Sequence, residues 1–138
     1  MTSILIDSNV LIDLFAASSD WQRWSSLRLE EFGQEGPLVI NPLIYAEVSV
    51  SFLSKELTDN ALPSGIFMRE ALPWEAAFEA GKAFRDYRRR GGYRRSPLPD
   101  FYIGAHAAVK NYRLLTRDAR RYRAYFPDIQ IIAPDTHP

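Results

Sequence analysis

The sequence predicts an α/β protein with three layers, helices packed on both faces of a central parallel sheet. Three observations carry that prediction. Ile4–Ile6, Leu38–Ile40 and the Leu114-Leu115-Thr116 run are short and do not alternate apolar with polar, as suits strands buried on both faces. Stretches with helical apolar spacing separate these runs, which is what parallel strands need for their crossovers. The chain has 138 residues, enough for one domain, residues 1–138, with a core of that depth.

The elements follow in order. Asp7 ends the first apolar run, and Ser8 or Asn9 is placed to cap a helix bearing Val10, Leu11, Leu14 and Phe15 at helical spacing. Ser18, Ser19 and Asp20 offer caps for a helix over residues 21–32, stopped by Gly33, with Trp21, Trp24 and Leu27 on its apolar face. The second strand lies between Gly36-Pro37 and Asn41-Pro42, and Pro42 then opens a helix from residue 43 to about 53 that carries Glu47. Residues 57–72 are broken by Asn60, Pro63, Ser64 and Gly65 and show no clear period. Pro73 stands at the first position of a long helix to about residue 90, ended by Gly91-Gly92.

A basic loop with Tyr93, Arg94 and Arg95 leads to a helix beginning at Pro99-Asp100, where Gly104, Ala105 and Ala108 permit close approach to the sheet. The third strand ends at the Arg117-Asp118 turn, a basic helix covers residues 119–126, and a last strand covers 129–132. Trp21, Trp24 and Trp74 are expected in the core, His137 in a loose tail, and Asp13 facing solvent.

Composition narrows the function classes. With no cysteine there is no disulfide framework, thiol nucleophile or cysteine-held zinc, and a reducing compartment is expected. No apolar run approaches the length of a membrane span and the first residues lack the basic region of a signal peptide, so the expected location is cytoplasmic. The formal net charge is +0, yet residues 1–81 carry −8, residues 82–123 carry +10 and the tail carries −2. A basic segment enclosing isolated acids suits a polyanion held against a cation-binding centre. A solvated arginine-rich helix face is the alternative for Arg85, Arg88 and Arg89.

Four carboxylates are the candidate chemistry. Asp7 and Asp118 each follow an apolar strand and precede a helix; Glu47 and Asp100 lie in the first turns of helices that follow proline-containing turns. In a doubly wound sheet all four tend towards the carboxyl edge, where ligands bind. Crowded carboxylates need a proton or a cation. Mg2+ or Mn2+ takes oxygen ligands, keeps several waters and shares substrate phosphates, and one or two such ions can drive in-line phosphodiester displacement. Each acid has a structural alternative: Asp7 and Asp118 as helix caps, Glu47 as a surface acid, and Asp100 as an acid favoured by the helix dipole.

The segments Leu5-Ile6-Asp7-Ser8-Asn9-Val10, Pro42-Leu43-Ile44-Tyr45-Ala46-Glu47-Val48, Pro99-Asp100-Phe101-Tyr102-Ile103-Gly104 and Leu114-Leu115-Thr116-Arg117-Asp118, in that order, resemble a PIN domain. More narrowly they are similar to VapC-type ribonuclease toxins of toxin–antitoxin pairs. The resemblance covers nearly the whole chain. It implies a parallel sheet of about five strands, one of them hidden within residues 57–72. It also implies metal-binding acids at Asp7, Glu47, Asp100 and Asp118, supported by Asn9 and Thr116. The activity implied is Mg2+- or Mn2+-dependent endonucleolytic cleavage of RNA, by a homodimer neutralised by a VapB-type antitoxin.

Around those acids, Arg117, Arg120 and Arg121 are phosphate candidates, and Arg94 and Arg95 beside Tyr93 could clamp single-stranded RNA. His106 is expected to pack rather than to catalyse. A phosphoaspartyl enzyme is disfavoured because Asn9 stands where the haloacid dehalogenase-type phosphatases place a second aspartate. A receiver domain is disfavoured because Lys110 precedes the wrong strand. A non-catalytic PIN-like module that binds RNA or protein is the remaining alternative.

Overall fold

The computed structural model describes residues 2–138 as five strands and seven helices. The strands are β1 (Ile4–Ile6), β2 (Leu38–Ile40), β3 (Phe67–Arg69), β4 (Arg113–Leu115) and β5 (Ile131–Ile132). The helices are α1 (Ser8–Phe15), α2 (Gln22–Gly33), α3 (Pro42–Ser49), α4 (Lys55–Ala61), α5 (Trp74–Arg89), α6 (Pro99–Lys110) and α7 (Arg120–Tyr125). All strand pairs are parallel, in the order β3-β2-β1-β4-β5. From β1 the chain extends one way through β2 and β3, then crosses back to β4 and β5. Right-handed crossovers therefore place α1–α4 on one face and α5–α7 on the other.

β1 is central because it is apolar throughout. Leu5 pairs with Val39 on one side and Leu114 on the other, and all three are fully buried. Fully burying each such side chain contributes about 1.5–3 kcal/mol. β3 is the fifth strand, within the stretch that showed no period. As an edge strand it buries only Phe67 and exposes Met68 and Arg69, so no apolar run marks it. α4 lies there too, capped by Ser54, whose hydroxyl accepts the Leu57 N–H at 3.1 Å.

Several boundaries differ from expectation. α1 begins at Ser8, so Asp7 occupies the N-cap position, and its carboxylate makes no capping bond. α3 stops at Ser49, and its cap is Asn41, whose Oδ1 accepts the Ile44 N–H at 2.9 Å. Pro73 is the N-cap of α5, not its first residue. On the α5–α6 face a second core gathers Ala76, Ala80, Ala83, Phe101 and Ala105. The small residues of α6 thus admit helices as well as the sheet: a Cβ on Gly104 would meet the Phe126 ring at 2.5 Å.

Trp74 is 91% exposed and Phe78 65%, because α5 spends its narrow alanine face on α6 and leaves the aromatic face outward. Trp21 is also exposed, while Trp24 packs against the main core and donates its indole N–H to the His137 carbonyl at 2.7 Å. With the His137 ring edge-on to Phe32, the tail is held rather than loose.

Asp13 reverses its expected exposure. It is buried, accepts bonds from Ser19 (3.0 Å) and Ser25 (2.9 Å), and pairs with Arg117 through Nε (2.9 Å) and a terminal nitrogen (3.3 Å). One carboxylate thereby ties α1, α2 and the turn after β4. Asp13→Ala leaves Arg117 and two hydroxyls without their acceptor and should cost about 3 kcal/mol. Denaturant unfolding measures this, and a loss below about 0.5 kcal/mol would show the tie to be incidental.

Candidate functional site

The strand order reverses between β1 and β4, and the crevice at that switch point is where an open α/β sheet binds ligands. Asp7 leaves β1 and Asp118 lies just beyond β4, so neighbouring strands bring them together. α3 follows β2 and carries Glu47; α6 starts at the same edge with Asp100 in its first turn. Asp7, Glu47, Asp100 and Asp118 line one cavity of about 580 Å³, together with Ser8, Asn9, Tyr87, Arg120, Arg121 and Tyr125.

Asp7 is the buried member, 4% exposed. Its Oδ2 accepts from Thr116 Oγ1 at 2.8 Å and from the Tyr122 hydroxyl at 2.9 Å. The same hydroxyl is 3.4 Å from Asp100 Oδ1. Ser8 Oγ donates to Glu47 Oε1 at 2.9 Å. Asn9 bridges the two strand ends: its Oδ1 accepts the Arg117 N–H at 3.2 Å and its Nδ2 donates to Thr116 Oγ1 at 3.3 Å. Thr116 Oγ1 also accepts the Asp118 N–H at 3.2 Å. Asn9 and Thr116 therefore link the end of β1 to the turn after β4 and hydrogen-bond to Asp7 or the backbone beside Asp118.

Burial, then the charges of Asp100 and Glu47, push the Asp7 carboxyl up to about 6, although the bonds from Thr116 and Tyr122 oppose the rise. Burial also raises Glu47, with Asp100 adding to it against the Ser8 bond. Burial raises the Tyr122 phenol well above its ordinary range, so it remains a donor. The hydrogen bond from Arg120 holds Asp118 below the usual carboxylate range. Three acids thus feel one another, while the fourth is neutralised by an arginine.

The expected arginines divide. Arg120 forks onto Asp118 (3.0 and 2.9 Å), and Arg121 reaches Asp100 at 3.0 Å, so both line the cavity but are engaged with acids. Arg117 is committed to Asp13. Arg94 and Arg95 are exposed on the loop after α5 and do not line the cavity; Arg94 lies over the exposed Tyr93 ring, 5.3 Å from its centre. His106 is fully buried: Asn41 Nδ2 donates to its Nδ1 (3.0 Å), leaving Nε2 to donate to Glu70 (2.9 Å). That is the packing role expected of it. Tyr122 and the Ser8 contact to Glu47 were not read from the sequence; the acids that the Tyr122 hydroxyl reaches, Asp7 and Asp100, lie on other segments, so local spacing carried no signal for it.

Among the described residues no three of these side chains are drawn together at metal-ligand spacing. The donor set is nonetheless all hard oxygen, and Asp7 Oδ1 takes no hydrogen bond among the described residues. Mg2+ keeps several waters and needs only one or two carboxylates, so the residues suit it.

The PIN domain family model matches residues 4–127. The chain belongs to the PIN domain family. Among solved structures, this PIN domain is similar to a chain of the Rickettsia felis VapBC2 structure bound to a promoter DNA fragment, with TM-score 0.72, 15% identity, and 95% of this chain and 98% of that chain covered. It is likewise similar to a chain of FitAcB from Neisseria gonorrhoeae (TM-score 0.69, 20% identity, 98% and 99% covered). A third likeness is to a toxin–antitoxin complex from Klebsiella pneumoniae (TM-score 0.68, 24% identity, 95% and 97% covered). No curated protein matches the sequence. At these identities the likenesses establish the fold.

The raised Asp7 carboxyl fixes a pH dependence. Its folded value of about 6 lies above the 3.8 of an ordinary aspartate, so the folded state binds the extra proton. The favourable contribution is full below about 4 and is lost as pH rises through about 6, a difference of about 3 kcal/mol. Asp7→Asn in EDTA should therefore melt higher than the wild type at pH 7.5, with the gap closing towards pH 4. A variant that melts lower at pH 7.5 would show that Asp7 is stabilising as a carboxylate.

Proposed function

We propose that this PIN domain is a Mg2+- or Mn2+-dependent endoribonuclease that hydrolyses RNA phosphodiester bonds. The observation that carries the reading is that four acids from four separate segments line one cavity at the switch point, with Asp7 buried there and not capping α1. A helix cap has no reason to be raised by the charges of Asp100 and Glu47.

Asp7, Glu47, Asp100 and Asp118 are the residues that would hold a divalent ion, which when bound supplies an activated water and neutralises charge on the phosphate. Thr116 and Tyr122 orient Asp7, Ser8 orients Glu47, and Asn9 fixes the turn that presents Asp118. Arg120 and Arg121, at the cavity's rim, are placed to exchange an acid for a substrate phosphate, and Arg94 and Arg95 extend the basic track away from it. Charged guanidinium groups suit phosphate oxygens through paired N–H donors.

The likeness to chains of the VapBC2, FitAcB and Klebsiella complexes supports a toxin role, with a VapB-type antitoxin as partner. A homodimer is part of the same proposal. The exposed Trp74 and Phe78, one turn apart on α5, supply apolar surface for association. No helix among the described residues is long and apolar enough to cross a membrane.

Purified protein with RNA in Mg2+ or in EDTA tests the reading. Cleavage should require the metal and leave a 5′-phosphate and a 3′-hydroxyl. Asp7→Asn and Asp100→Asn should each lower the rate by about a hundredfold or more, the scale of losing one charge contact to a transition state, with RNA binding retained. Cyclic phosphate ends, or full activity in excess EDTA, contradict the reading. RNA binding without cleavage in either metal would instead support a non-catalytic PIN-like module.

A further inference from the structure

We propose that Tyr122 is a positioning residue that fixes Asp7 as a one-oxygen ligand and couples it to Asp100, so that metal affinity depends on the Tyr122 hydroxyl. The inference deepens the metal-dependent reading and rests on it.

The geometry begins with α7. This short helix carries Arg120 and Arg121 outward to Asp118 and Asp100, while Tyr122 points in and is 1% exposed. Its ring is set by close packing: a Cβ on Gly104 of α6 would stand 3.1 Å from Tyr122 Cδ1 and 2.5 Å from the neighbouring Phe126 ring, leaving the tyrosine little room to move. The ring is therefore a rigid stem, and its length decides where the hydroxyl ends. It ends between two acids, 2.9 Å from Asp7 Oδ2 and 3.4 Å from Asp100 Oδ1.

A phenol has one proton to give, and the shorter contact marks Asp7 as its acceptor. Thr116 donates to the same Oδ2 at 2.8 Å. With two donors on Oδ2, a cation is left Oδ1, and a carboxylate held at one oxygen cannot rotate to chelate with both. Donors of this kind, behind a metal ligand, typically govern affinity by about tenfold to a hundredfold. The phenol oxygen also stands beside Asp100, so the spacing between two acids on different elements, the β1 end and α6, is set by one side chain on a third. A phenylalanine would pack equally well and do neither.

The test is Mn2+ binding to the intact protein by calorimetry, comparing wild type, Tyr122→Phe and Asp7→Asn, with melting in EDTA as the control for folding. Tyr122→Phe should remain folded, bind Mn2+ about tenfold to a hundredfold more weakly, and need correspondingly more Mg2+ for half-maximal RNA cleavage. Tyr122→Met, a second hydroxyl-free side chain able to fill irregular space, should repeat the loss of affinity. Unchanged Mn2+ affinity in a folded hydroxyl-free variant overturns the assignment. Weakened Mn2+ binding in a wild-type background that cuts no RNA keeps the tyrosine's role and removes the ribonuclease reading. A wild type that binds no Mn2+ removes both.

Discussion

The structure depends on one unfavourable act, the burial of the Asp7 carboxylate at the end of the central strand. A buried charge must be neutralised, hydrogen-bonded or paired. Here Thr116 and Tyr122 supply hydrogen bonds, while burial first, and then repulsion from Asp100 and Glu47, raises the carboxyl to about 6. Everything near the switch point is arranged about that conflict. β4 delivers Thr116, α7 delivers Tyr122, and α6 begins where Asp100 can face them. An arrangement that only maximised stability would place an apolar group there; on the proposed reading, a bound cation would relieve the repulsion and add stability.

Around this centre the chain supplies its own counter-charges. Arg120 and Arg121 sit on adjacent positions of α7 and reach different acids, so the basic segment neutralises the site from one short helix. These pairs are largely exposed and individually weak. On the proposed metal-dependent reading that weakness is useful, since an arginine loosely paired with Asp100 or Asp118 is one that a metal ion and a phosphate would displace at little cost. Asp13 and Arg117 form the opposite kind of pair, buried on the acid's side and bidentate, and serve as a fixed tie for the turn that presents Asp118.

The fold class was legible because β1 and β2 are uninterrupted apolar runs and Leu114-Leu115 makes up most of β4. Asp7 and Asp118 stood out near strand ends and Asp100 at a helix start, whereas Glu47, expected in the first turns of a longer helix, lies in the last turn of α3, which stops at Ser49. What was not legible has physical reasons. β3 is an edge strand with one buried side chain, so periodicity could not show it. Trp74 was expected in the core, but α5 packs through its alanines, and a close helix pair selects small residues over large ones. Asp13 looked exposed because its partners, Ser19, Ser25 and Arg117, are brought to it by three different segments. Tyr122 was missed for the same reason: the two acids beside its hydroxyl lie more than twenty residues away in sequence.

The central claim is that the acids form one electrostatic unit, and a double-mutant cycle on stability in EDTA at pH 7.5 tests it most directly. Asp7→Asn and Asp100→Asn each remove one side of a shared repulsion. Each should stabilise the fold, and the double variant should gain less than the two single gains combined, by about 0.5 kcal/mol or more, as expected for residues in contact. Strictly additive effects, or two single variants that both destabilise, would contradict the account and leave four separate acids that merely share an edge of the sheet.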